Sequence, residues 1–259
     1  MASTNQPNVV VVTGASRGIG RSIAEALAAD GHRLVLTARD ATKLEVLADQ
    51  LRRDGHEAVT VAADLRAPHA VGDVLEACQQ AFGEPDAIVS NAGTAPSDKI
   101  ENTTNEMLAE AFSLHVSVPL AFARACAPKM KARGSGCLLQ LASTAGLRGY
   151  RFTSAYTAAK HGMGGLARAL HEELSFKGID VYAVCPGFVE TDITRGAAAA
   201  IAAKGQTSIE EALELMGSQN DIGRMHKPDE VAAAVSHLLK SRPKGCVYNL
   251  DREPPAFQE

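Results

Sequence analysis

The sequence predicts an α/β fold in a single domain, with a doubly wound, mostly parallel sheet of about seven strands and helices on both faces. Apolar, strand-like runs alternate with helical patterns along the 259 residues, and such alternation is typical of parallel strands joined by helical crossovers. A glycine-rich turn directly follows the first strand, where folds of this class bind ligands. We find no proline-rich linker, internal repeat or change in composition that would indicate a second domain. The strands are expected at Val9–Val12, Leu34–Thr37, Ala58–Val61, Ala87–Ser90, Cys137–Leu141, Asp180–Val184 and Cys246–Leu250.

The predicted domain spans residues 9–251. Residues 1–8 are polar, without the basic start and apolar stretch of an export signal, and are expected to be a flexible N-terminus. Residues 252–259 are expected to form a C-terminal tail. Residues 188–221 are the least regular stretch between strands, and they predict either a loop region that covers the substrate or a peripheral pair of helices.

Composition excludes several classes of function. Hydrophobic residues make up 46% of the chain, which is enough for a buried core. No apolar run reaches the roughly 18 to 20 residues that span a membrane. The net charge of -4 is scattered, so no basic surface for nucleic acid is expected. Five cysteines without a Cys-x-x-Cys pair indicate neither disulfides nor a zinc site, and we expect a cytoplasmic protein without a bound metal.

A strand, a glycine-rich turn and a helix open the chain in that order. Gly14 permits a tight turn, while Gly18 and Gly20 allow the backbone and the helix start to approach a pyrophosphate without an obstructing Cβ. The helix N-terminus presents unpaired N–H groups and the positive end of its dipole to the phosphates. In this context the motif predicts a Rossmann-type dinucleotide site. The turn contributes Gly14, Ser16, Arg17, Gly18, Ile19 and Gly20.

Tyr156 and Lys160 lie four residues apart, about one helical turn, so their side chains share one face of a helix. A neighbouring ammonium group lowers the pKa of a phenol by Coulomb attraction, and such a phenol can protonate an alkoxide near neutral pH. Ser143 precedes the tyrosine by thirteen residues, at the end of an apolar run, where its hydroxyl could hold the substrate oxygen. The three residues predict a site for proton transfer to a substrate oxygen, whereas Tyr-x-x-x-Lys taken alone also arises by chance in a chain of this length.

Together these motifs resemble the short-chain dehydrogenase/reductase family, in its single-domain branch. The resemblance extends from about Val9 to Asp251. It implies hydride transfer between a nicotinamide cofactor and a CH–OH or C=O group, without a metal. In that scheme Tyr156 donates the proton, Ser143 orients the substrate oxygen, and Lys160 holds the nicotinamide ribose. The matching pieces are Thr13-Gly14-x-x-x-Gly18-x-Gly20, Asp64-Leu65, Asn91-Ala92-Gly93, Ser143, Tyr156-x-x-x-Lys160, and Pro186-Gly187 followed by Val189-Glu190-Thr191.

The resemblance implies further cofactor contacts. Asp64 follows the third predicted strand, where the equivalent aspartate contacts the adenine amino group. Residues 91–93 follow the fourth strand, and small side chains there let the backbone pass close to the cofactor. Thr191 would bind the nicotinamide carboxamide. These pieces contribute Asp64, Leu65, Asn91, Ala92, Gly93, Pro186, Gly187, Val189 and Thr191.

The end of the second strand favours NADPH over NADH. NAD-dependent enzymes of the resembled family generally carry an acidic residue aligned with Ala38. Here the next residue is Arg39, whose forked guanidinium could bind a 2'-phosphate, and Arg17 could contact the same phosphate from the glycine turn. Asp40 is the competing indication, because the general dinucleotide motif has an acid on the ribose about twenty residues after the glycines.

His115 occupies the position at which the resembled family has a catalytic asparagine. In the family that asparagine stabilises a local irregularity of the helix, whose backbone carbonyl holds a water in a proton relay to the lysine. His115 could preserve this backbone geometry, join the relay with its own titration near pH 6.5, or be a tolerated helix residue. It is therefore a fourth candidate catalytic residue.

The predicted function is NADPH-dependent reduction of a ketone, an aldehyde or a 3-oxoacyl thioester. Residues 187–194 resemble those of 3-oxoacyl reductases. The run His171-Glu172-Glu173 would repel an acidic carrier protein, which favours a free carbonyl compound or a CoA ester. The alternatives are an alcohol dehydrogenase that works in the oxidative direction and a non-catalytic, nucleotide-sensing protein of the same fold. Candidates for an apolar pocket wall, which equally fit core packing, are Tyr150, Phe152, Phe188 and Met216.

The resemblance also implies a homodimer or a homotetramer. The C-terminal tail often joins subunits in the family, but here residues 252–255 replace the usual Gly-Gly pair. This departure favours a dimer through the helices expected around residues 106–132 and 155–176.

Overall fold

The computed structural model of the protein describes residues 8–205 and 207–258, without the side chain of Lys204. The predicted flexible N-terminus lies outside the described residues except for Asn8, and Glu259 of the predicted tail lies outside them too. Within the described ranges, every helix is too short or too polar to cross a membrane.

The sheet confirms the predicted doubly wound, mostly parallel architecture. Within the described residues it contains eight strands in the order β3-β2-β1-β4-β5-β6-β7-β8, and every neighbouring pair is parallel except β7 with β8. The strand order reverses between β1 and β4, which opens a crevice at the carboxyl ends of these strands. The strands are β1 (Val9–Thr13), β2 (Arg33–Ala38), β3 (Ala58–Ala62), β4 (Ala87–Ser90), β5 (Gly136–Leu141), β6 (Ile179–Cys185), β7 (Val247–Asn249) and β8 (Ala256–Gln258).

Helices cover both faces of the sheet. The helices are α1 (Gly18–Ala29), α2 (Ala41–Arg53), α3 (Ala70–Ala81), α4 (Asn105–Phe112), α5 (Val118–Arg133), α6 (Ser154–Leu174), α7 (Asp192–Lys204), α8 (Ile209–Ser218) and α9 (Pro228–Ser241). One face is covered by α1, α2 and α9, and the other by α3, α5 and α6. A π-helical turn, Ser113–Ser117, connects α4 to α5.

Residues of each strand alternate between the two cores. Val10 and Val12 of β1 pack beneath α1, whereas Val9 and Val11 belong to the core on the opposite face. Because both faces are covered, all four valines are buried. This explains why the strands appear in the sequence as continuous apolar runs rather than as an alternating pattern.

The eighth strand lies in the segment that the sequence assigns to a C-terminal tail. It pairs antiparallel with β7 at the edge of the sheet. Phe257 packs against the ring of Tyr248 at 5.1 Å and that of Tyr182 at 6.1 Å between centroids. These aromatic contacts attach the end of the chain to the domain.

Helices α7 and α8 account for most of the segment 188–221. They pack on each other through Ala198, Ala212 and Met216, which form a small cluster of their own. The segment thus contains a pair of helices, and its role as a cover over substrate stays a prediction.

Candidate active site

The carboxyl ends of four parallel strands meet at the crevice of the sheet. Residues 14–20 follow β1, residues 91–93 follow β4, Ser143 follows β5 and Pro186 follows β6. Helix α6 packs on the loop after β5 and brings Tyr156 to the same edge. The fold therefore collects the main predicted motifs in one place.

The glycine turn is packed tightly against the end of β4. Gly14 and Gly18 have φ values of 66° and 53°, so both adopt the left-handed conformation that favours glycine. A Cβ at Gly14 would lie 2.9 Å from the Cα of Ala92. A Cβ at Gly20 would collide with the carbonyl oxygen of Gly14 and the side-chain amide of Asn91. The turn thus needs glycine for its own packing, in addition to the predicted approach of a phosphate.

The start of α1 fits an anionic ligand. Arg17 precedes the helix in an extended conformation and forms no side-chain cap, and the first turn contains no acidic residue. The first N–H groups of a helix lack an intrahelical acceptor, and at the start of α1 no side chain accepts from them either. Ser16 and Ile19 lie in the same turn and are partly exposed. This arrangement suits the pyrophosphate of a dinucleotide.

Asn91 and Thr13 connect the turn to β4. The Asn91 amide donates to the backbone oxygens of Thr13 at 2.9 Å and Gly14 at 3.3 Å. The Thr13 hydroxyl oxygen accepts from the backbone N–H groups of Asn91 and Ala92, both at 2.9 Å. Sequence reasoning did not assign Thr13 to the site, although it stands within the glycine motif. Both residues position the turn through the backbone.

Asp40 is used to cap a helix. Its carboxylate accepts a hydrogen bond from the backbone N–H of Lys43 at 3.0 Å, and this bond lowers the pKa of Asp40. Ala38 ends β2 and is buried, whereas Arg39 is exposed. Arg17 and Arg39 form no ion pair with the described residues. Asp40, which competed with the NADPH prediction, therefore serves to cap α2. The side chains of Arg17 and Arg39 are left available to bind a phosphate.

Asp64 is paired with an arginine that sequence reasoning missed. Arg66 donates from Nε at 2.9 Å and from a terminal nitrogen at 2.6 Å to the two carboxylate oxygens. This fork lowers the pKa of Asp64 to about 2. Arg66 also pairs with Glu110 at 2.7 Å, which connects the loop after β3 to α4. Leu65, the other residue predicted here, is buried in the core. The contact of Asp64 with the adenine stays a prediction.

Tyr156 lies in the first turn of α6, next to Ser143. The Ser143 hydroxyl oxygen accepts from the backbone N–H of Ala145 at 3.1 Å, which fixes its rotamer. Tyr156 is partly exposed, but its surroundings are apolar enough that desolvation raises its pKa to about 12. A hydrogen bond with Ser143 acts in the opposite direction. Tyr156 is therefore a neutral phenol at neutral pH and can donate a proton.

Lys160 is one turn further along the same face of α6. Its Nζ donates to the carbonyl oxygen of Leu141 at 2.6 Å and lies 5.6 Å from the centre of the Tyr156 ring. Burial lowers the pKa of Lys160 to about 7. The expectation that Lys160 lowers the pKa of Tyr156 is wrong for this structure, because desolvation of the phenol dominates and the group that opposes it is the Ser143 hydroxyl rather than the amine.

His115 lies within the π-helical turn, so the helix has the irregularity that the family resemblance implies. Its Nε2 bonds to the carbonyl oxygen of Thr94 at 2.8 Å, and its ring contacts that of Tyr156 edge to face at 5.6 Å. Gly93 makes room for the imidazole, because a Cβ there would collide with it. Burial, followed by the charge of Lys160, lowers the pKa of His115 to about 3. A titration of His115 near pH 6.5 is therefore wrong for this structure.

The connection from β6 to α7 lies beside the glycine turn. Thr191 caps α7 by accepting from the backbone N–H of Thr194 at 3.3 Å, and a Cβ at Gly18 would be 3.5 Å from its methyl group. A Cβ at Gly187 would collide with the side chain of Asn220, another residue that sequence reasoning missed. The predicted residues placed in this connection are Pro186, Gly187, Val189 and Thr191.

A cleft of about 590 Å³ opens beside the first turn of α6. Tyr150 and Phe152 line it together with residues 98–101, and Phe188 contacts the Tyr150 ring edge to face at 5.6 Å. Phe152 has a φ of 65°, a strained value for an aromatic residue, and its side chain is 56% exposed. Met216 instead packs in the cluster of α7 and α8. Two of the four predicted wall residues thus face the cleft.

Residues 8–202 match the family model described as short chain dehydrogenase. The chain belongs to the short-chain dehydrogenase family. It is 31% identical over 230 residues to the 3-oxoacyl-(acyl-carrier-protein) reductase of Escherichia coli, covering 89% of this chain and 88% of that protein. It is also 31% identical over 248 residues to the D-beta-hydroxybutyrate dehydrogenase of Cupriavidus necator, covering 93% of this chain and 95% of that protein.

A solved member of the family has the same fold. The structure of an actinorhodin polyketide ketoreductase variant with NADPH is similar with a TM-score of 0.88 and 30% identity, over 96% of this chain and 97% of that one. The chain is therefore an oxidoreductase that acts on C=O or CH–OH groups with a nicotinamide cofactor. This confirms the fold and the enzyme class that the sequence predicts.

Proposed function

We propose that the protein reduces a carbonyl group, in a ketone, an aldehyde or a 3-oxoacyl thioester, to an alcohol with NADPH. The observation that carries the proposal is the convergence of the Ser143 hydroxyl, the Tyr156 phenol and the Lys160 amine beside the glycine turn. Similarity to the reductases reported above supports the same chemistry.

The residues at the carboxyl edge of the sheet fit a dinucleotide. The start of α1 lacks a side-chain cap and an acidic first turn, which suits a pyrophosphate. When bound, the nicotinamide supplies the hydride. Asp64, Asn91 and Thr191 are proposed to position the two ends of the cofactor.

Arg17 and Arg39 make NADPH the proposed cofactor rather than NADH. Both guanidinium groups are exposed, without an ion pair in the described part of the chain. They lie on the turns that follow β1 and β2, which are neighbours in the sheet. A 2'-phosphate held between them would receive charge-assisted hydrogen bonds from two sides.

The protonation state of Tyr156 is the one that reduction of a carbonyl requires. With a pKa of about 12 the phenol is protonated at neutral pH and can pass its proton to the carbonyl oxygen as hydride reaches the carbon. Ser143 orients that oxygen. Oxidation of an alcohol needs the phenolate as a base, which burial disfavours. A dehydrogenase working in the oxidative direction is the second candidate, supported by similarity to the hydroxybutyrate enzyme.

The negative charge near the C-terminal end of α6 bears on whether the substrate is attached to an acidic carrier protein. Glu173 pairs with Lys131 at 2.9 Å, whereas Glu172 forms no ion pair with the described residues. An acidic carrier protein would be repelled by this negative charge, so a free carbonyl compound or a CoA ester is the proposed substrate.

We expect the reaction in the cytoplasm, which agrees with five free cysteines, four of them buried.

A direct test follows NADPH absorbance against a panel of ketones, aldehydes, 3-oxoacyl-CoA esters and 3-oxoacyl carrier-protein thioesters. The proposal predicts oxidation of NADPH with at least one carbonyl class, with CoA esters preferred over carrier-protein thioesters. Turnover of alcohols with NADP⁺ but of no carbonyl would support the oxidative alternative. Cofactor binding without turnover in either direction would support a nucleotide-sensing protein.

A further inference from the structure

Phe152 carries a half-exposed aromatic ring on a strained backbone. Its φ is 65°, a left-handed value that costs free energy for any residue with a Cβ, and its side chain is 56% exposed. The ring belongs to none of the apolar clusters formed by the described residues. Burial of the ring therefore does not compensate for the strain, and stability alone would favour glycine at this position.

Hydrogen bonds fix the turn that carries Phe152. Its carbonyl oxygen accepts from the backbone N–H of Asp98 at 2.8 Å, which joins the turn to the loop after β4. The Thr153 hydroxyl donates to the carbonyl oxygen of Tyr150 at 2.9 Å. Strained conformations persist where the surroundings determine them in this way, and they concentrate at ligand-binding sites. The turn thus presents the ring in a defined place, at the wall of the cleft beside α6.

The cleft extends from this ring toward the reacting groups. Tyr150, a second aromatic residue of its wall, bonds through its hydroxyl to that of Thr144, the neighbour of Ser143, at 2.7 Å. Arg148 donates from Nε to the same phenolic oxygen at 3.0 Å, which fixes the position of the Tyr150 ring. Tyr150 also lies within electrostatic range of Tyr156, whose pKa it helps to raise. A carbonyl group held by Ser143 and Tyr156 would therefore place one of its substituents in the cleft.

The lining of the cleft suits an apolar substituent better than an anionic one. Its volume of about 590 Å³ is that of a pocket for a small ligand. Ile100, which is 73% exposed, lines it together with Phe152 and Tyr150. The charged residues of the lining are two acids and two bases, so their formal charges cancel: Asp98, Lys99, Glu101 and Arg151. The described residues of this cleft thus offer apolar surface rather than a net charge.

We propose that Phe152 is a specificity-determining residue, whose ring packs on a bulky apolar substituent, an aryl group or an alkyl chain, next to the substrate carbonyl. The inference rests on the proposed function and narrows its substrates to free ketones, aldehydes or 3-oxoacyl-CoA esters with such a substituent. Polyhydroxylated ketones are selected against, because their hydroxyl groups would lose water against an aromatic ring. Phe152 contacts only the unreactive part of the substrate.

Steady-state kinetics with NADPH measure this selection. The panel varies only the substituent, with butanone, 2-nonanone, 4-phenyl-2-butanone, a ketohexose, and short and long 3-oxoacyl-CoA esters. We expect kcat/KM to rise with apolar size. Phe152→Ala should lower it by about tenfold to hundredfold for the large apolar members and leave butanone unchanged. The free ketones and the CoA esters show which source supplies the substituent.

Two results of these kinetics would overturn the proposal. One is a native preference for the ketohexose. The other is a preference for large apolar substituents that Phe152→Ala leaves unchanged. Phe176→Ala is the matched control, because Phe176 is a 71% exposed phenylalanine beyond the end of α6. This control should keep the native preference.

Phe152→Gly separates selection from packing. Glycine adopts a φ of 65° without strain, so this variant should have a higher Tm than Phe152→Ala and yet show the same loss of preference. It also keeps the kinetic comparison valid where alanine destabilises the turn. A ring that served only to pack the turn would give a glycine variant with a lower Tm than the native chain and an unchanged preference, and that result overturns the proposal.

Binding without turnover distinguishes failure of this inference from failure of the proposed function. 4-Phenyl-2-butanone is titrated into the native chain and into Phe152→Gly with NADP⁺, which cannot reduce it, and ligand-observed NMR gives the Kd. We expect the Kd to be at least about tenfold higher for the glycine variant. Equal Kd values, or no binding to either chain, overturn the inference even where carbonyls are reduced. Tighter binding by a native chain that reduces no carbonyl contradicts the proposed function and supports the selectivity of the cleft.

Discussion

Burial favours the uncharged form of both Tyr156 and Lys160, and it does so through opposite pKa changes. The phenol pKa rises to about 12 and the amine pKa falls to about 7. The phenol is thereby kept in the form that donates a proton. The amine is placed where a small change in pH alters its charge. His115, whose pKa burial lowers to about 3, adds no charge of its own to this group.

The pKa of Lys160 predicts the pH dependence of reduction. Below about pH 7 the side chain is an ammonium that can return a proton to Tyr156, and above it this supply is lost. We expect kcat to fall as the pH rises through about 7, by about tenfold per pH unit, because Tyr156 regains its proton after hydride transfer and kcat includes that step. Lys160→Arg, which keeps its charge, should be slower but should lose this decline. A native profile that is flat between about pH 6 and pH 9 would refute the assignment.

Arg39 predicts the cofactor preference. Arg39→Ala removes a charge-assisted contact to the 2'-phosphate, so the ratio of kcat/KM for NADPH to that for NADH should fall about tenfold to hundredfold. Steady-state kinetics with both cofactors measures the ratio. Arg53→Ala, an exposed arginine at the end of α2, is the control and should leave it unchanged. An unaltered ratio for Arg39→Ala would remove this residue from the phosphate site.

Asn220 joins the connection after β6 to the residues that follow α8. Its Oδ1 accepts from the backbone N–H of Phe188 at 2.7 Å, and its amide donates to the oxygens of Phe188 at 3.0 Å and Arg224 at 2.7 Å. Nearby, the buried carboxylate of Asp251 accepts from the backbone N–H of Asp221 at 3.0 Å. These bonds anchor the helical pair α7 and α8 at the side of the site.

Asn220→Ala should loosen this anchor. The change removes the side-chain partner of the partly buried Phe188 N–H and of the Arg224 carbonyl oxygen, so we expect the free energy of unfolding to fall by about 1 to 2 kcal/mol. KM should rise more than kcat falls, because the connection that carries Thr191 would be less well placed. Urea unfolding and steady-state kinetics measure the two effects, with the exposed neighbour Gln219→Ala as control. An unchanged unfolding free energy would show that the bonds contribute little.

The fold could be predicted from the sequence because the patterns that indicate it lie among residues close together in the chain. Strands buried on both faces appear as continuous apolar runs, and the glycines of residues 14–20 follow from backbone requirements. Asn220 could not be found in this way, because its partner Phe188 is 32 residues away and the pairing exists only in the folded chain. Arg66 resembles any surface cation until α4 brings Glu110 to it. The strand β8 has only three residues, too few for a recognisable pattern.

The outer face of α4 and α5 predicts association of two copies. Leu108, Phe112 and Leu120 are 38%, 36% and 43% exposed, so apolar side chains lie on helices through which we expect a homodimer. Leu120→Asp should lower the molar mass in light scattering from that of a dimer to that of a monomer. Val46→Asp on α2, 57% exposed, is the control and should stay dimeric. A native monomer at all concentrations would contradict the prediction.

Tyr156→Phe tests the central claim most directly, because it removes the phenolic oxygen and keeps the ring that packs on His115. The measurement is single-turnover NADPH oxidation with the best carbonyl substrate, together with the Kd for NADPH. Loss of the proton donor predicts a rate lower by about 10²- to 10⁴-fold, with NADPH binding unchanged within about twofold. Near-native turnover by the phenylalanine variant with NADPH bound would contradict Tyr156 as the proton donor.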